Sequence, residues 1–336
     1  MENKLNISLV VIAGRDAVNL ERLIKTVKAL KEKPVELIIV FDMKQCKKAS
    51  VIKIEGVNVK HIEYYGEGKQ PHMRNLALSA TECDYLWYID DDVSLDVSSY
   101  VNLHSIIEDI PENSMVGSIA GKIIEDKGFD RNKIKRPIEF NFLKGPIGLF
   151  DFNPEEFPNH LYDVVEGISG SEYPVVDFCQ GTSMVFKRGS LCSIGGFDED
   201  LGVGYSSFED SEPSFALKRK GLKTIYCGGF ALTHHKLPRI GGVSRGNQQF
   251  DYNKYLVNNC VISLFKNDFP SSLLKIPYVL SFTIVQLGRC IKENIKSEDK
   301  STVHVILKSL QSVSSGFYQG AKTSYKSNYE RVNSSK

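Results

Sequence analysis

The sequence is notable first for what it lacks. Its 336 residues carry 42 basic and 41 acidic side chains, a net charge of only +1. So balanced a chain has no bulk field to draw it to a polyanion, and no nucleic-acid partner is expected. No stretch of about 20 uncharged apolar residues occurs, so no membrane-spanning helix is expected. The opening residues, MENKLNISLVVIAGRD, lack the charged-then-apolar order of a secretory leader. The seven cysteines, Cys46, Cys83, Cys179, Cys192, Cys227, Cys260 and Cys290, are scattered. No two have zinc-ligand spacing, and an odd number argues against a disulfide framework. A reducing cytoplasm is the expected compartment. No internal repeat is present.

What is there is an ordinary globular composition, 42% hydrophobic and 25% charged, arranged in a definite order. Ile7–Ile12 (ISLVVI) is a continuous β-rich run, the pattern of a strand buried on both faces. Val18–Leu30 follows with apolar residues at 20, 23, 24, 27 and 30, which is helical spacing, and Pro34 ends it. Val35–Phe41 is a second buried strand, Lys47–Ile54 a short helix, and Val57–Tyr64 a third strand. Met73–Ala80 is a helix and Tyr85–Ile89 a fourth strand. Such alternation predicts a mostly parallel sheet flanked by helices, an α/β, Rossmann-like class. Ligands of such sheets bind beyond the carboxyl ends of the strands. Asp42 lies just past one strand end, and Asp90, Asp91 and Asp92 just past another.

Residues 120–175 hold five prolines and little periodicity. They predict a long excursion, either lining an acceptor pocket or decorating the surface. Val175–Phe178 and Ser183–Lys187 predict short strands. Glu209–Lys220 predicts a helix with an acidic first turn, which the macrodipole favours, and Gly221 would cap it. Leu222–Thr233 predicts a strand ending in His234-His235. From about Tyr252 helices are expected, and the tail 322–336 is expected to fray. Ile276–Leu287 (IPYVLSFTIVQL) is almost wholly apolar, with Lys254, Lys266 and Lys275 before it and Arg289 and Lys292 after it. It suits either a core helix or an interfacial helix with basic flanks.

Four constellations carry chemistry. The Asp90–Asp92 cluster offers hard oxygens suited to Mg²⁺ or Mn²⁺; a solvated acidic turn is its plain alternative. Asp198-Glu199-Asp200 and Glu209-Asp210, joined through Gly202 and Gly204, could deliver a general base or merely cap a helix. His234-His235 could add an imidazole ligand, and in an extended segment only one of two neighbours faces a given side. Arg74, Arg239 and Arg245 could neutralise a diphosphate or simply be solvated.

The order of these pieces resembles the GT-A nucleotide-diphospho-sugar glycosyltransferases of the family-2 type. The matching stretches are ISLVVIAGRD, VFD, MRNLALSATECDYLWYIDDD, VDFCQGTSMVFKR, GGFDEDLGVGYSSFEDSEPSFALKRKG and THH, over roughly residues 5–250. The resemblance implies a GT-A catalytic domain over 1–250, with a donor-binding half (1–118) and an acceptor half (119–250), followed by a helical C-terminal extension (251–336). It implies a metal-dependent, inverting sugar transfer from a nucleotide-diphospho-sugar, UDP-sugar favoured. The acceptor would be a glycan or lipid-linked hydroxyl, in cell-surface polysaccharide synthesis. By position, Asp42 would contact the base and Asp90 the nucleoside, with Asp91 undecided. Asp92 would hold Mn²⁺ or Mg²⁺, and His234 or His235 would complete that site. Arg74 would border the nucleotide, Gly181 and Thr182 the donor sugar, and Arg245 would sit in a closing loop, 237–246. Asp210 would be the base, Glu209 the second choice.

Two positions depart from the family pattern. Ala13-Gly14-Arg15-Asp16 replaces the usual P-x-y-N, and Phe41-Asp42-Met43-Lys44 replaces D-D-G-S. Both frame the base, so the donor nucleotide stays open. A D-x-D phosphotransferase would place its motif on the first strand and follow it with Gly-Thr; here Val93-Ser94 follow it on the fourth. A nucleotidyltransferase would want a glycine-rich basic loop after strand one, and Ala13-Gly14-Arg15 is a thin echo of that. A non-catalytic sugar-nucleotide-binding protein is the remaining alternative. The basic-flanked apolar run adds two expectations, contact with the inner face of the cell membrane or a homodimer contact.

Overall fold

The computed structural model describes residues 5–14, 17–44, 51–66, 70–125, 164–176, 178–202, 208–235, 249–266, 279–280, 283–284, 287–288, 290–291 and 302–334. They fall into two compact units. The larger holds the described residues within 5–125, 164–198 and 210–235, and the smaller those within 199–202, 208–209 and 249–334.

The larger unit is built on a 10-stranded sheet. Its strands are β1 (Ile7–Ala13), β2 (Glu36–Asp42), β3 (Asn58–Tyr64), β4 (Tyr85–Asp90), β5 (Val93–Leu95), β6 (Val116–Glu125), β7 (Val164–Glu166), β8 (Glu172–Val176), β9 (Ser183–Lys187) and β10 (Lys223–His234). The order is β3-β2-β1-β4-β9-β6-β10-β8-β7, with β5 on β10. Strands β3, β2, β1 and β4 pair in parallel. Every residue of β1 and of β2 is buried, because helices cover both faces of a parallel sheet. The alternation of side chains sorts them. Leu9, Val11, Leu37, Ile39, Trp87 and Ile89 join one core, and Val10, Ile12, Ile38, Val40, Leu86 and Tyr88 join the other.

Helix α1 (Ala17–Ala29) packs Leu20, Leu23, Ile24 and Val27 into the first core, alongside Tyr100, Leu103, Ile106 and Ile107 of α3 (Ser99–Asp109). Helix α2 (Gln70–Ser79) packs Met73, Ala77 and Leu78 into the second. Leu191 of α4 (Arg188–Ser193) and Leu217 of α5 (Glu212–Arg219) close that face.

The first four strands and their helices follow the expected pattern. Three segments do not. Residues 51–54 are not helical, and the rest of the expected helix Lys47–Ile54 lies outside the described residues. Helix α5 starts at Glu212 rather than at Glu209, because the chain is still turning: Phe208 has φ 62° and Glu209-Asp210 lie in a turn. The tail expected to fray is helical to Ser334. Of the excursion 120–175, β6 and the β7–β8 hairpin are formed, while 126–163 lie outside the described residues.

The smaller unit packs α6 (Gln249–Phe265) and α7 (Thr302–Ser334) around Val257, Cys260, Val261, Val279 and Val313. Asn259 Nδ2 donates to the Leu201 carbonyl at 3.0 Å, and Lys266 pairs with Asp200 at 2.6 Å. The buried stripe of α7 steps through Val305, Ser309, Val313, Gly316, Gly320 and Ser324, one helical face. Gly316 and Gly320 lie against the carbonyl oxygens of Lys254 and Asn258 of α6. A Cβ at 316 would collide with backbone, which cannot rotate away. Gly316→Ala should therefore destabilise the protein by about 1–3 kcal/mol, read as a lower urea midpoint; an unchanged midpoint would refute this packing.

Candidate functional site

Strand direction gathers the candidate residues. The parallel strands β1, β2 and β4 end at Ala13, Asp42 and Asp90, all on one edge of the sheet. Strand β9 runs antiparallel to β4, so its start lies at that edge: Ser183 faces Ile89. Strand β6 reverses direction again, and β10 runs parallel to β6. The end of β10, His234, thus emerges at the same edge as Asp90. The short β5 then pairs antiparallel with β10, setting Val93 against His234 and Ser94 against Thr233.

The three aspartates diverge. Asp91 is 3% exposed, and its Oδ2 accepts the Gly14 N–H at 3.0 Å. It ties the end of β1 to the end of β4. Asp90 Oδ2 accepts from Thr182 Oγ1 at 3.2 Å. The Asp92 side chain is fully buried, with Oδ2 at 3.5 Å from His234 Nε2. Asp90, Asp92 and His234 each offer a ligand atom, and those atoms lie within 4.8 Å of one another. Sequence reasoning assigned Asp90 to the nucleoside; the geometry groups it with Asp92 and His234. Two carboxylates and an imidazole fit a hard or borderline divalent ion such as Mn²⁺ or Mg²⁺. A positive ion would also offset the cost of burying like charges side by side.

His235 turns elsewhere. Its Nε2 sits 2.7 Å from Ser94 Oγ, and its backbone N–H donates to the Asp92 carbonyl at 3.0 Å. Adjacent residues of an extended segment point to opposite faces, so one histidine joins the carboxylates and the other braces them. Asp42 is 2% exposed, and its Oδ1 accepts the Lys44 N–H at 3.0 Å, an Asx turn at the end of β2.

The second carboxylate group is held across the site. Asp210 Oδ2 accepts the Gly181 N–H at 2.8 Å, and its Oδ1 accepts from Ser211 Oγ at 3.1 Å. Gly181 and Thr182 form the turn into β9, and that turn touches Asp210 through its first residue and Asp90 through its second. Glu209 is 7% exposed and belongs to the smaller unit. Just before it, Phe208 has φ 62°. A bulky residue in that region is strained, and such strain concentrates at functional turns. Burial pushes the Cys179 thiol up to about 12, only partly offset by a hydrogen bond to Ser214. A thiol so protonated is no nucleophile.

Arg74 is 2% exposed. Its Nη2 donates to Gln70 Oε1 at 3.0 Å, and its guanidinium lies 5.4 Å from the centroid of the Phe197 ring. Tyr88, whose phenol is raised chiefly by burial, donates to the Arg74 carbonyl at 3.2 Å. Arg245 and the expected loop 237–246 lie outside the described residues.

Sequence reasoning missed Asn75, Ser94 and Phe197. Asn75 Nδ2 donates to the Phe197 carbonyl at 2.9 Å, and Asn75 Oδ1 accepts the Phe197 N–H at 2.8 Å. Gly195 and Gly196, at φ 86° and 82°, shape the turn that presents Phe197. That glycine pair was the available signal: it marks a backbone needing left-handed residues.

If the three aspartates divide as described, Asp90→Asn and Asp92→Asn should each lose Mn²⁺ binding by at least about tenfold. Asp91→Asn, whose amide oxygen can still accept from Gly14, should keep it. Electron paramagnetic resonance titration of free Mn²⁺ measures all three. Equal losses would refute the division.

No family model matches the chain, and no curated protein matches its sequence. Its fold does match solved structures. The chain is similar to S. aureus TarS 1–349, with a TM-score of 0.55 and 12% identity over 92% of this chain and 81% of that one. The same protein in complex with UDP-GlcNAc gives 0.54 and 11%, over 92% and 82%. A structure of GalNAc-T7 with UDP, GalNAc and Mn²⁺ gives 0.51 and 15%, over 80% of this chain. This chain spans about half of the GalNAc-T7 chain, 49%. At such identities the likeness concerns the fold, and that fold is the GT-A glycosyltransferase fold.

Proposed function

We propose that this chain is a divalent-metal-dependent glycosyltransferase that moves a sugar from a nucleotide-diphospho-sugar to an acceptor hydroxyl. The carrying observation is the pairing of two groups at one sheet edge. Asp90, Asp92 and His234 can hold an ion, and Asp210 is fixed beside them by the turn that starts β9. The reported ligands of the fold's relatives, UDP with Mn²⁺ and UDP-GlcNAc, support a UDP-sugar donor.

The chemistry follows from the residues. Asp90, Asp92 and His234 would hold Mn²⁺ or Mg²⁺, which when bound supplies charge to offset the diphosphate leaving group. Asp210 accepts the acceptor hydroxyl proton as its oxygen attacks the anomeric carbon. A new C–O bond forms there, and the bond to the diphosphate oxygen breaks with its electron pair. With the base opposite the leaving group, one displacement inverts the centre. Asp42 at the end of β2 and Arg74 in α2 flank the region a nucleotide would occupy. Glu209 is the second-choice base. A carboxylate base typically contributes about 10²–10⁴-fold.

The acceptor is a glycan or lipid-linked saccharide, with cell-surface polysaccharide synthesis as the process. A lipid carrier suits a chain that touches the membrane surface. No helix among the described residues is long and apolar enough to cross a membrane. Support for surface contact comes from the apolar run itself. Val279 is buried, while Leu280 and Ile284, four residues apart in sequence, are 47% and 69% exposed.

A thermal-shift screen of nucleoside diphosphates with and without Mn²⁺ should give a Mn²⁺-dependent rise in Tm with UDP. Asp210→Asn should then cut donor hydrolysis by about 10²-fold or more while leaving the UDP shift intact. Full activity in that variant would sink the base assignment, and a nucleotide shift without any turnover would favour a binding module. For membrane contact, the protein should float with anionic liposomes, and Leu280→Asp with Ile284→Asp should abolish flotation; unchanged flotation would point to a different surface.

A further inference from the structure

The candidate ion site joins two segments far apart in the chain. Asp90 and Asp92 lie where β4 gives way to β5, and His234 ends β10. A metal tolerates errors of only about 0.2 Å in its ligand distances. The gap between the two segments must therefore be fixed by something other than the ligands themselves.

The middle of β10 does not fix it. Between the pairs Cys227–Gly121 and Ala231–Lys122, the residues Gly228, Gly229 and Phe230 break step with β6. Such a bulge bends a strand and re-aims the side chains beyond it. Helix α3 holds the bulge: Ser99 Oγ donates to the Ala231 carbonyl at 2.6 Å, and Asn102 Nδ2 to the Gly229 carbonyl at 2.8 Å. Pairing with β6 then resumes as far as His234 and Glu125. These contacts set β10 against β6 and α3, not against the aspartates.

The link to the aspartates is β5, three residues long. Val93 and Leu95 enter the first core, and the Leu95 N–H donates to Thr26 Oγ1 of α1 at 3.2 Å. Ser94 between them therefore faces the other way. There its Oγ meets His235 Nε2 at 2.7 Å. The His235 N–H donates to the Asp92 carbonyl at 3.0 Å. One residue thus grips the β5 segment on both sides of Val93, by its backbone at Asp92 and by its ring at Ser94. His234, its neighbour, pairs with Val93 and sets Nε2 at 3.5 Å from Asp92 Oδ2.

We propose that Ser94 and His235 are positioning residues for the ion site: their hydrogen bond clasps β5 to the end of β10 and so sets the gap between Asp92 and His234. Neither is a ligand. The hydroxyl acts through the imidazole, and the imidazole through the backbone it shares with His234. Groups that hold metal ligands in place typically change metal affinity by about 10–100-fold when removed. The clasp rests on the ion site inferred above, but on no particular sugar, nucleotide or acceptor.

Mn²⁺ titration of the full chain by electron paramagnetic resonance tests it, with urea midpoints measured in parallel without metal. Ser94→Ala should weaken Mn²⁺ binding by about tenfold. Ser94→Thr, which keeps a hydroxyl, should bind to within about twofold of the unaltered protein. His235→Phe keeps the backbone N–H and loses the ring nitrogen, so it should match Ser94→Ala. The double variant Ser94→Ala with His235→Phe should lose no more than either single one, because both remove the same bond. A lowered urea midpoint with unchanged Mn²⁺ affinity in Ser94→Ala would mark a merely structural bond and overturn the proposal. Additive losses in the double variant, or no rescue by threonine, would overturn it too. Absence of Mn²⁺ binding by the unaltered protein would instead refute the ion site, and the clasp with it.

Discussion

The structure turns on the burial of carboxylates at one sheet edge. Asp91 and Asp92 are 3% and 1% exposed, and Asp42 is 2% exposed. Buried like charges repel, and each loses hydration worth several kcal/mol. The protein answers differently at each position. Asp91 spends its charge on a backbone N–H of the neighbouring strand. Asp42 turns back on its own loop. Asp92 meets an imidazole instead and shares its space with Asp90. Only that last arrangement leaves a concentration of negative charge that a cation would relieve. Local hydrogen bonding thus separates the carboxylates tied to backbone N–H groups from those gathered around the candidate ion site.

Topology makes that concentration possible. A purely parallel sheet would carry its strand-end residues to one edge, but each on a separate strand about 4.8 Å from the next. Here β9 runs against its neighbours on both sides. The reversal brings the start of a strand, with Gly181 and Thr182, to the edge where others end. It also restores the direction of β6 and β10, so that His234 emerges there too. The turn into one antiparallel strand therefore supplies both the backbone donor for Asp210 and the hydroxyl for Asp90.

Much of this was legible in the sequence where the signal was local. ISLVVI and VELIIVF read as two-sided strands because each residue's burial follows from its own side chain. The strand-end positions of Asp42 and Asp90–Asp92 followed directly. The choice between His234 and His235 was not legible, because it depends on the register of β10 against β5, a pairing across some 140 residues. The hydrogen bond that holds Asp91 was hidden for the same reason: its donor, Gly14, is 77 residues away. Helix α3 carried helical spacing that went unread. The tail 322–336 was expected to fray because a Ser-, Lys- and Asn-rich composition resembles disorder, whereas it continues the helix α7, whose small residues at 309, 316, 320 and 324 form the stripe that lets it approach α6.

The glycines tie the two halves of the site together. Gly181 leaves room for the Asp210 carboxylate that accepts its N–H, and Gly196 admits the Asn75 amide to the backbone of Phe197. Neither is a mere loop residue. In both, the missing Cβ is the space that a polar group from another element fills. A motif such as GGF or QGT therefore encodes a contact between distant segments: the Asn75 amide of α2 for Gly196 and the Asp210 carboxylate for Gly181.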